Sequence, residues 1–130
     1  MNPAGIGIDM VEIERVETAL AREGTAFLQR MFLSGEQEYC AGMPHPAAHY
    51  AARWAAKEAV AKALGTPIGP QLGCLDIEVR RKFSGEPFVQ LHGAGAELAK
   101  RRGISDIHIS LTHTAQHAAA YVLLTTSALR

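Results

Sequence analysis

The apolar positions change period several times along the chain, and each change marks an element. In "GIGIDMVEI" they alternate: Ile6, Ile8 and Met10 point one way, Asp9 and Val11 the other, as in a β-strand. From about position 11 to 32 the spacing lengthens to that of a helix through Val16, Ala19, Leu20, Phe27, Leu28, Met31 and Phe32, with a break expected at Gly24. Ser34, with Gln37 and Glu38 nearby, reads as the N-cap of a new helix, because a serine hydroxyl can bond the orphan amides of a first turn. "GMPHP" is a loop, since its two prolines forbid regular pairing. A long helix is predicted from Pro46 to Leu64, with no glycine or proline after Pro46 and with Gly65 as a left-handed cap.

Beyond that helix, "TPIGPQLG" reads as a loop. "LDIEVRRKF", "SGE" and "PFVQLHG" form a β-hairpin with a glycine turn. "AGAELAKRRG" is a short helix that ends on basic residues and Gly103, as the helix dipole prefers. "DIHISLTH" alternates, with Ile107, Ile109 and Leu111 on one face, and "HAAAYVLLTT" is a last, buried strand. Helices and antiparallel strands are segregated, so the class is α+β, and no repeat or linker divides residues 1–130 into more than one domain.

Composition sharpens this picture in two places. Hydrophobic residues make up 48% of the 130 positions but aromatics only 6%, so the core must rest on alanine and aliphatic packing. A small domain poor in large side chains gains from oligomerising. The 13 basic and 13 acidic residues cancel, which gives no global reason to expect a nucleic acid or an anionic membrane as partner. No run approaches the roughly 18 apolar residues of a membrane span. The start carries no basic segment ahead of an apolar one, and Cys40 and Cys74 make no disulfide framework; a soluble, reduced, cytoplasmic protein is expected.

Candidate chemistry gathers on "RWAAKEAVAKALG". Glu58 and Lys62 lie one turn apart, Trp54 one turn before them, and Arg53 and Lys57 form a second pair roughly 100–140° around the helix. An ordinary helical ion pair, worth about 0.3–0.5 kcal/mol, would account for Glu58 and Lys62. Three cations around one carboxylate would equally suit a phosphorylated ligand held with a divalent metal. Asp9, in a strand-like stretch after Gly5 and Gly7, is either a cap for the next helix or a carboxylate ligand for a hard cation. The His113/His117 and His45/His49 spacings suit zinc only on a helix, and both lack that context. "LHGAGAEL" imitates a dinucleotide fingerprint, but Leu98 replaces the third glycine and the setting is antiparallel; close packing explains the small residues.

Three of these stretches, "GIGIDMVEIERVE", "RWAAKEAVAKALGT" and "IHISLTHTAQHAAAYVLL", together resemble the holo-(acyl-carrier-protein) synthase family, the short bacterial type of 4′-phosphopantetheinyl transferase. The resemblance covers nearly the whole chain, with the W-x-x-KEA-x-x-K pattern in its second stretch. It implies an antiparallel sheet packed on a long central helix, a homotrimer, and transfer of 4′-phosphopantetheine from coenzyme A to a serine of apo acyl carrier protein in fatty acid biosynthesis, with release of 3′,5′-ADP. By the same resemblance Asp9 and Glu58 hold Mg2+, and Lys62 stabilises the reacting pyrophosphate. Arg53, Lys57 and His113 meet coenzyme A phosphates, Gly65 and Thr66 line the nucleotide pocket, and the base is Glu58 or a magnesium-bound water rather than His113. Docking of the acidic carrier falls to Arg15, Arg22, Phe27 and Leu28, on a segment diluted by Glu12, Glu14, Glu17 and Glu23. Two rivals stand beside this: the same chemistry on a polyketide or peptide-synthetase carrier domain, and a non-catalytic coenzyme A-binding oligomer.

Overall fold

The computed structural model describes residues 1–127. β1 (Asn2–Glu12) leads into α1 (Ile13–Glu23) and α2 (Thr25–Met31), which are separated at Gly24 with φ 59°. α3 (Ser34–Ala41) precedes the long α4 (Pro46–Leu64). A hairpin of β2 (Ile77–Arg81) and β3 (Pro87–Leu91) follows, then α5 (Gly93–Arg101), β4 (Ile104–His113) and β5 (His117–Thr126). β5 lies between β1 and β4 in an antiparallel three-stranded sheet, and β2–β3 is a separate two-stranded one. The α+β class and the sheet-on-helix packing match the sequence reading.

Two termini depart from or refine that reading. Ser34 is not an N-cap: Leu33 takes that position, and Glu36 reaches back so that the Leu33 amide donates to its Oε1 at 2.9 Å. This is half of a capping box, built by the glutamate alone. α4 begins with Pro46 in its first turn and ends as expected at Gly65, with φ 73°. There the Thr66 amide bonds the Ala61 carbonyl and the Gly65 amide the Lys62 carbonyl, both at 3.1 Å. That pair of bonds satisfies carbonyls that a helix end leaves unpaired. Arg102 clamps the same end, donating to Leu64 O at 2.7 Å and to Ala4 O at 3.0 Å.

The core is the face of α4 against β1 and β5. Ala51, Ala55, Ala56, Ala59 and Val60 are fully buried there, opposite Val122 and Leu124. Small side chains let the backbones meet: a Cβ on Gly5 would strike the Ala63 carbonyl, and one on Gly7 the Ala59 carbonyl. Two strand residues therefore advance with one helical turn, about 6.8 Å against about 6 Å, so β1 and α4 run past each other in step. Phe27, Phe32 and Tyr50 are buried at the other side of α4.

The other side of the sheet is uncovered. Ile6, Ile8 and Met10 are 63%, 64% and 63% exposed, with Tyr121 paired opposite Ile8 and itself 40% exposed. The alternation in β1 thus assigns Asp9 and Val11 to the helix side and the larger apolar row to the outer face.

Candidate active site

Along positions 51–64 of α4 only Trp54, Glu58 and Lys62 escape burial. Their four-residue spacing makes one open stripe on an otherwise enclosed helix. Helix side chains lean toward the N-terminus. Lys62 accordingly reaches back along β1, where its Nζ donates to Ile8 O at 2.9 Å and to Asp9 Oδ1 at 3.0 Å. Lys62 thus links Asp9, on the strand, to the helix stripe that carries Glu58. The Asp9 side chain is 20% exposed and that of Lys62 55%. Glu58, half-buried, enters none of the ion pairs among the described residues. The Glu58–Lys62 helical pair that spacing alone suggests is therefore replaced by a pair across elements.

Asp9 does not cap α1 either, whose N-cap is Glu12 without a side-chain bond. The donor set is oxygen only, and no group of three His, Cys, Asp or Glu is arranged as ligands among the described residues. Such a set fits a hard cation that takes its remaining ligands from substrate oxygens and water.

Arg53 and Lys57, on the opposite side of α4, are both enclosed. For Lys57 this corrects the assignment to a coenzyme A phosphate. Its side chain has no exposure, and its Nζ donates to Glu36 Oε1 at 2.8 Å, Cys74 O at 2.8 Å and Ile77 O at 2.7 Å. All three ammonium protons have partners, so none is left for a ligand. Burial pulls the Lys57 ammonium below its ordinary pKa, and Glu36 opposes that shift. Arg53 differs: it is 1% exposed, yet its Nε has no hydrogen-bond partner, and its Nη1 reaches only His49 O at 3.3 Å. It borders a cavity of about 330 Å3 shared with His113, His49 and Arg81. Gly65 and Thr66 sit at the exposed C-terminal end of α4, beyond Lys62.

On the neighbouring side, Arg15 lies over the Trp54 ring at 4.6 Å and shares an open groove of about 320 Å3 with Arg22, Thr18 and Glu23. Phe27 does not belong to that surface. It is 2% exposed and packs edge-on against Trp54 and Phe32, which removes it from the docking set. Leu28 is half-buried against the core. Of the four diluting glutamates, Glu23 pairs with Arg30 at 2.7 Å, which leaves Arg15 and Arg22 outside the ion pairs of the described residues. Sequence reasoning missed Glu36, Tyr39 and Arg81, all of which touch the Arg53–Lys57 side of α4. Their distance from it in sequence gave no signal.

Residues 5–122 match the model of the 4′-phosphopantetheinyl transferase superfamily, and the chain belongs to that family. A holo-(acyl-carrier-protein) synthase of Syntrophus aciditrophicus is 45% identical over 120 residues, 92% of this chain and 94% of the relative. Among solved structures, the holo-(acyl-carrier-protein) synthase of Neisseria meningitidis superposes with a TM-score of 0.88 at 28% identity, over 95% of this chain and 99% of that one. The Helicobacter pylori enzyme in complex with coenzyme A gives 0.82 at 32% identity, over 92% and 99%.

Proposed function

We propose that this chain transfers the 4′-phosphopantetheine arm of coenzyme A to a serine hydroxyl of apo acyl carrier protein, acting as a holo-(acyl-carrier-protein) synthase. The observation that carries the reading is the Lys62–Asp9 contact at 3.0 Å beside Glu58, which no ion pair among the described residues engages. In the reaction the serine oxygen bonds to the phosphorus of the phosphopantetheine arm. The bond from that phosphorus to the bridging oxygen breaks, and its electron pair leaves on 3′,5′-ADP. Negative charge grows on the departing pyrophosphate oxygen, where the Lys62 ammonium meets it. Asp9 and Glu58 would hold a magnesium-type cation, which would supply charge neutralisation at the pyrophosphate. A Glu58 oxygen stands as acceptor for the serine proton, since no ion pair among the described residues engages it. Arg53 and His113 serve the phosphates of coenzyme A, and Gly65 with Thr66 the nucleotide.

The partner surfaces follow from the same frame. The acidic carrier protein docks on α1 through Arg15 and Arg22 beside Trp54. The apolar row of Ile6, Ile8 and Met10 with Tyr121 supports assembly of copies of the chain across the open sheet face, in the trimer that the family resemblance implies. Both cysteines are free thiols, and no described helix is long and apolar enough to cross a membrane; a reducing cytoplasmic setting belongs to this reading.

The test is turnover of coenzyme A with apo acyl carrier protein and magnesium, for the wild type and for Asp9→Ala, Glu58→Ala and Lys62→Ala. Each variant should keep its circular dichroism and lose transfer, with Lys62→Ala acting on kcat more than on the KM for coenzyme A. A wild-type chain that binds coenzyme A but transfers nothing would overturn the reading in favour of a non-catalytic binding protein.

A further inference from the structure

The C-terminal end of α4 is closed in two different ways. A helix leaves its last four carbonyls without partners of its own. Those of Ala61 and Lys62 accept the amides of Thr66 and Gly65. Those of Ala63 and Leu64 accept Arg102 Nη1 instead, at 3.4 and 2.7 Å. The other arm of the same guanidinium, Nη2, donates to Ala4 O at 3.0 Å. Ala4 sits where the β1–β5 register shifts between Pro3 and Gly5, and it has no register partner on β5. Arg102 lies 38 residues beyond Leu64 and 98 beyond Ala4, so the chain returns from afar to set this one side chain. Arg102 enters none of the ion pairs among the described residues, and none of their carboxylates cancels its charge at close range.

The hydrogen bonds alone do not require an arginine. Gly65 and Arg102 are exposed, and water serves the carbonyls of a helix end that it reaches. Water does not supply a fixed positive charge, and this end carries the opposite sign. The aligned peptides of a helix such as α4 sum to roughly half a negative charge at the C-terminus. Helix ends that hold phosphates are N-termini, where the pole is positive. In the proposed reaction an anion nevertheless comes to this end of α4. Gly65 and Thr66 serve the nucleotide, and the pyrophosphate runs from it back to Lys62, which precedes Gly65 by three residues, about 4.5 Å of helix axis. Resting on that functional reading, we infer that Arg102 is a positioning residue for coenzyme A: its guanidinium, seated on the last carbonyls of α4, cancels the negative pole there and lets the pyrophosphate settle between Gly65 and Lys62. The charge is the active element, and the bond to Ala4 O holds it in place. A guanidinium keeps that charge throughout the working pH range.

Calorimetry with coenzyme A and magnesium, on the full chain, sets charge against clamp. Arg102→Gln keeps an amide donor and loses the charge; Arg102→Lys keeps the charge and loses the fork. Urea midpoints should fall alike in both, since each loosens the tie between α4 and β1. Affinity for coenzyme A should fall about fivefold or more in Arg102→Gln and stay within about twofold of the wild type in Arg102→Lys. The loss should shrink as salt is raised. Adenosine 3′-monophosphate, which has no 5′-phosphate, should bind the wild type and Arg102→Gln within about twofold of each other. Arg101→Gln removes the same charge from the exposed residue beside it, at the end of α5, and should leave coenzyme A affinity within about twofold. An Arg102→Gln variant that binds coenzyme A like the wild type overturns the inference. So does an Arg102→Lys or Arg101→Gln variant that loses as much as Arg102→Gln, or an equal loss for adenosine 3′-monophosphate. A wild type that binds coenzyme A with this dependence on Arg102 and performs no transfer leaves the inference standing and defeats the proposed reaction instead. A wild type that binds no coenzyme A defeats both.

Discussion

Lys57 Nζ stands 2.8 Å from Glu36 Oε1, and neither side chain reaches solvent. The pair fastens three elements together. Lys57 also binds the carbonyls of Cys74 and Ile77, while Glu36 receives the amides of Leu33 and Val79. Removing one partner leaves a buried charge without its counterion, which costs roughly 3–5 kcal/mol. Lys57→Met and Glu36→Gln are therefore each expected to lower the denaturation midpoint sharply, in a domain whose whole stability is of the order of 5–15 kcal/mol. Urea unfolding measures this. A Lys57→Met variant of unchanged stability but raised KM for coenzyme A would return Lys57 to the phosphate site.

Gly7 controls how near β1 comes to α4, and so where Asp9 lies relative to Lys62. The Cβ of Gly7→Ala would meet the Ala59 carbonyl, which is backbone on both sides and cannot swing away. Overpacking of this kind costs about 1–3 kcal/mol or more, and here it also pushes the strand off the helix. Gly24→Ala supplies the contrast, since its φ of 59° is strained but nothing lies within 4 Å. Stability should fall in both variants. Transfer activity at saturating substrate, measured on folded protein, should fall only in Gly7→Ala. Equal activity in the two would detach the glycine from the geometry of the site.

The period changes of the chain carried most of the fold. Pro46, Gly65 and the glycine-free stretch between them define α4 without tertiary help, and the alternation in β1 separates Asp9 from Ile6, Ile8 and Met10. Which of those two faces is covered is not local information: it depends on α4 packing against the glycines. The same holds for charge. Arg53, Lys57, Glu58 and Lys62 look alike on a helical wheel, but Glu36, 21 residues before Lys57, draws Lys57 inward. Tyr39 and Arg81 flank Arg53 through contacts between α3, α4 and the hairpin. Phe27 was legible as apolar but not as core, because burial is decided by Trp54 of α4 and by Phe32, just past the end of α2, meeting it.

Arg15 and Arg22 line one open groove beside Trp54, and neither takes part in an ion pair among the described residues. Reversing both charges with Arg15→Glu and Arg22→Glu places negative charge against an acidic carrier. Encounter then slows, most at low salt, where screening is weakest. The KM for carrier protein is expected to rise tenfold or more, with that for coenzyme A within about twofold. A salt titration of the wild type should show the attraction weakening as salt increases. Unchanged carrier binding in the double variant at low salt would move docking off α1.

Ile8 and Tyr121 face each other across the β1–β5 ladder on the uncovered side of the sheet, at 64% and 40% exposure. With Ile6 and Met10 they form a contiguous apolar surface, which water disfavours at about 25 cal/mol per Å2 unless another surface covers it. Copies of this chain are the occupants proposed for it. Ile8→Arg would set a charge in the middle of the contact, where it must be desolvated on assembly. Light scattering on the wild type is expected to give three times the 14.0 kDa chain mass, and on Ile8→Arg one chain mass. The side chain points away from α4, so the monomeric variant should keep its helical circular dichroism. A wild type that stays monomeric at micromolar concentration would leave the apolar face to some other partner. An Ile8→Arg variant that still assembles would place the contact on a different surface.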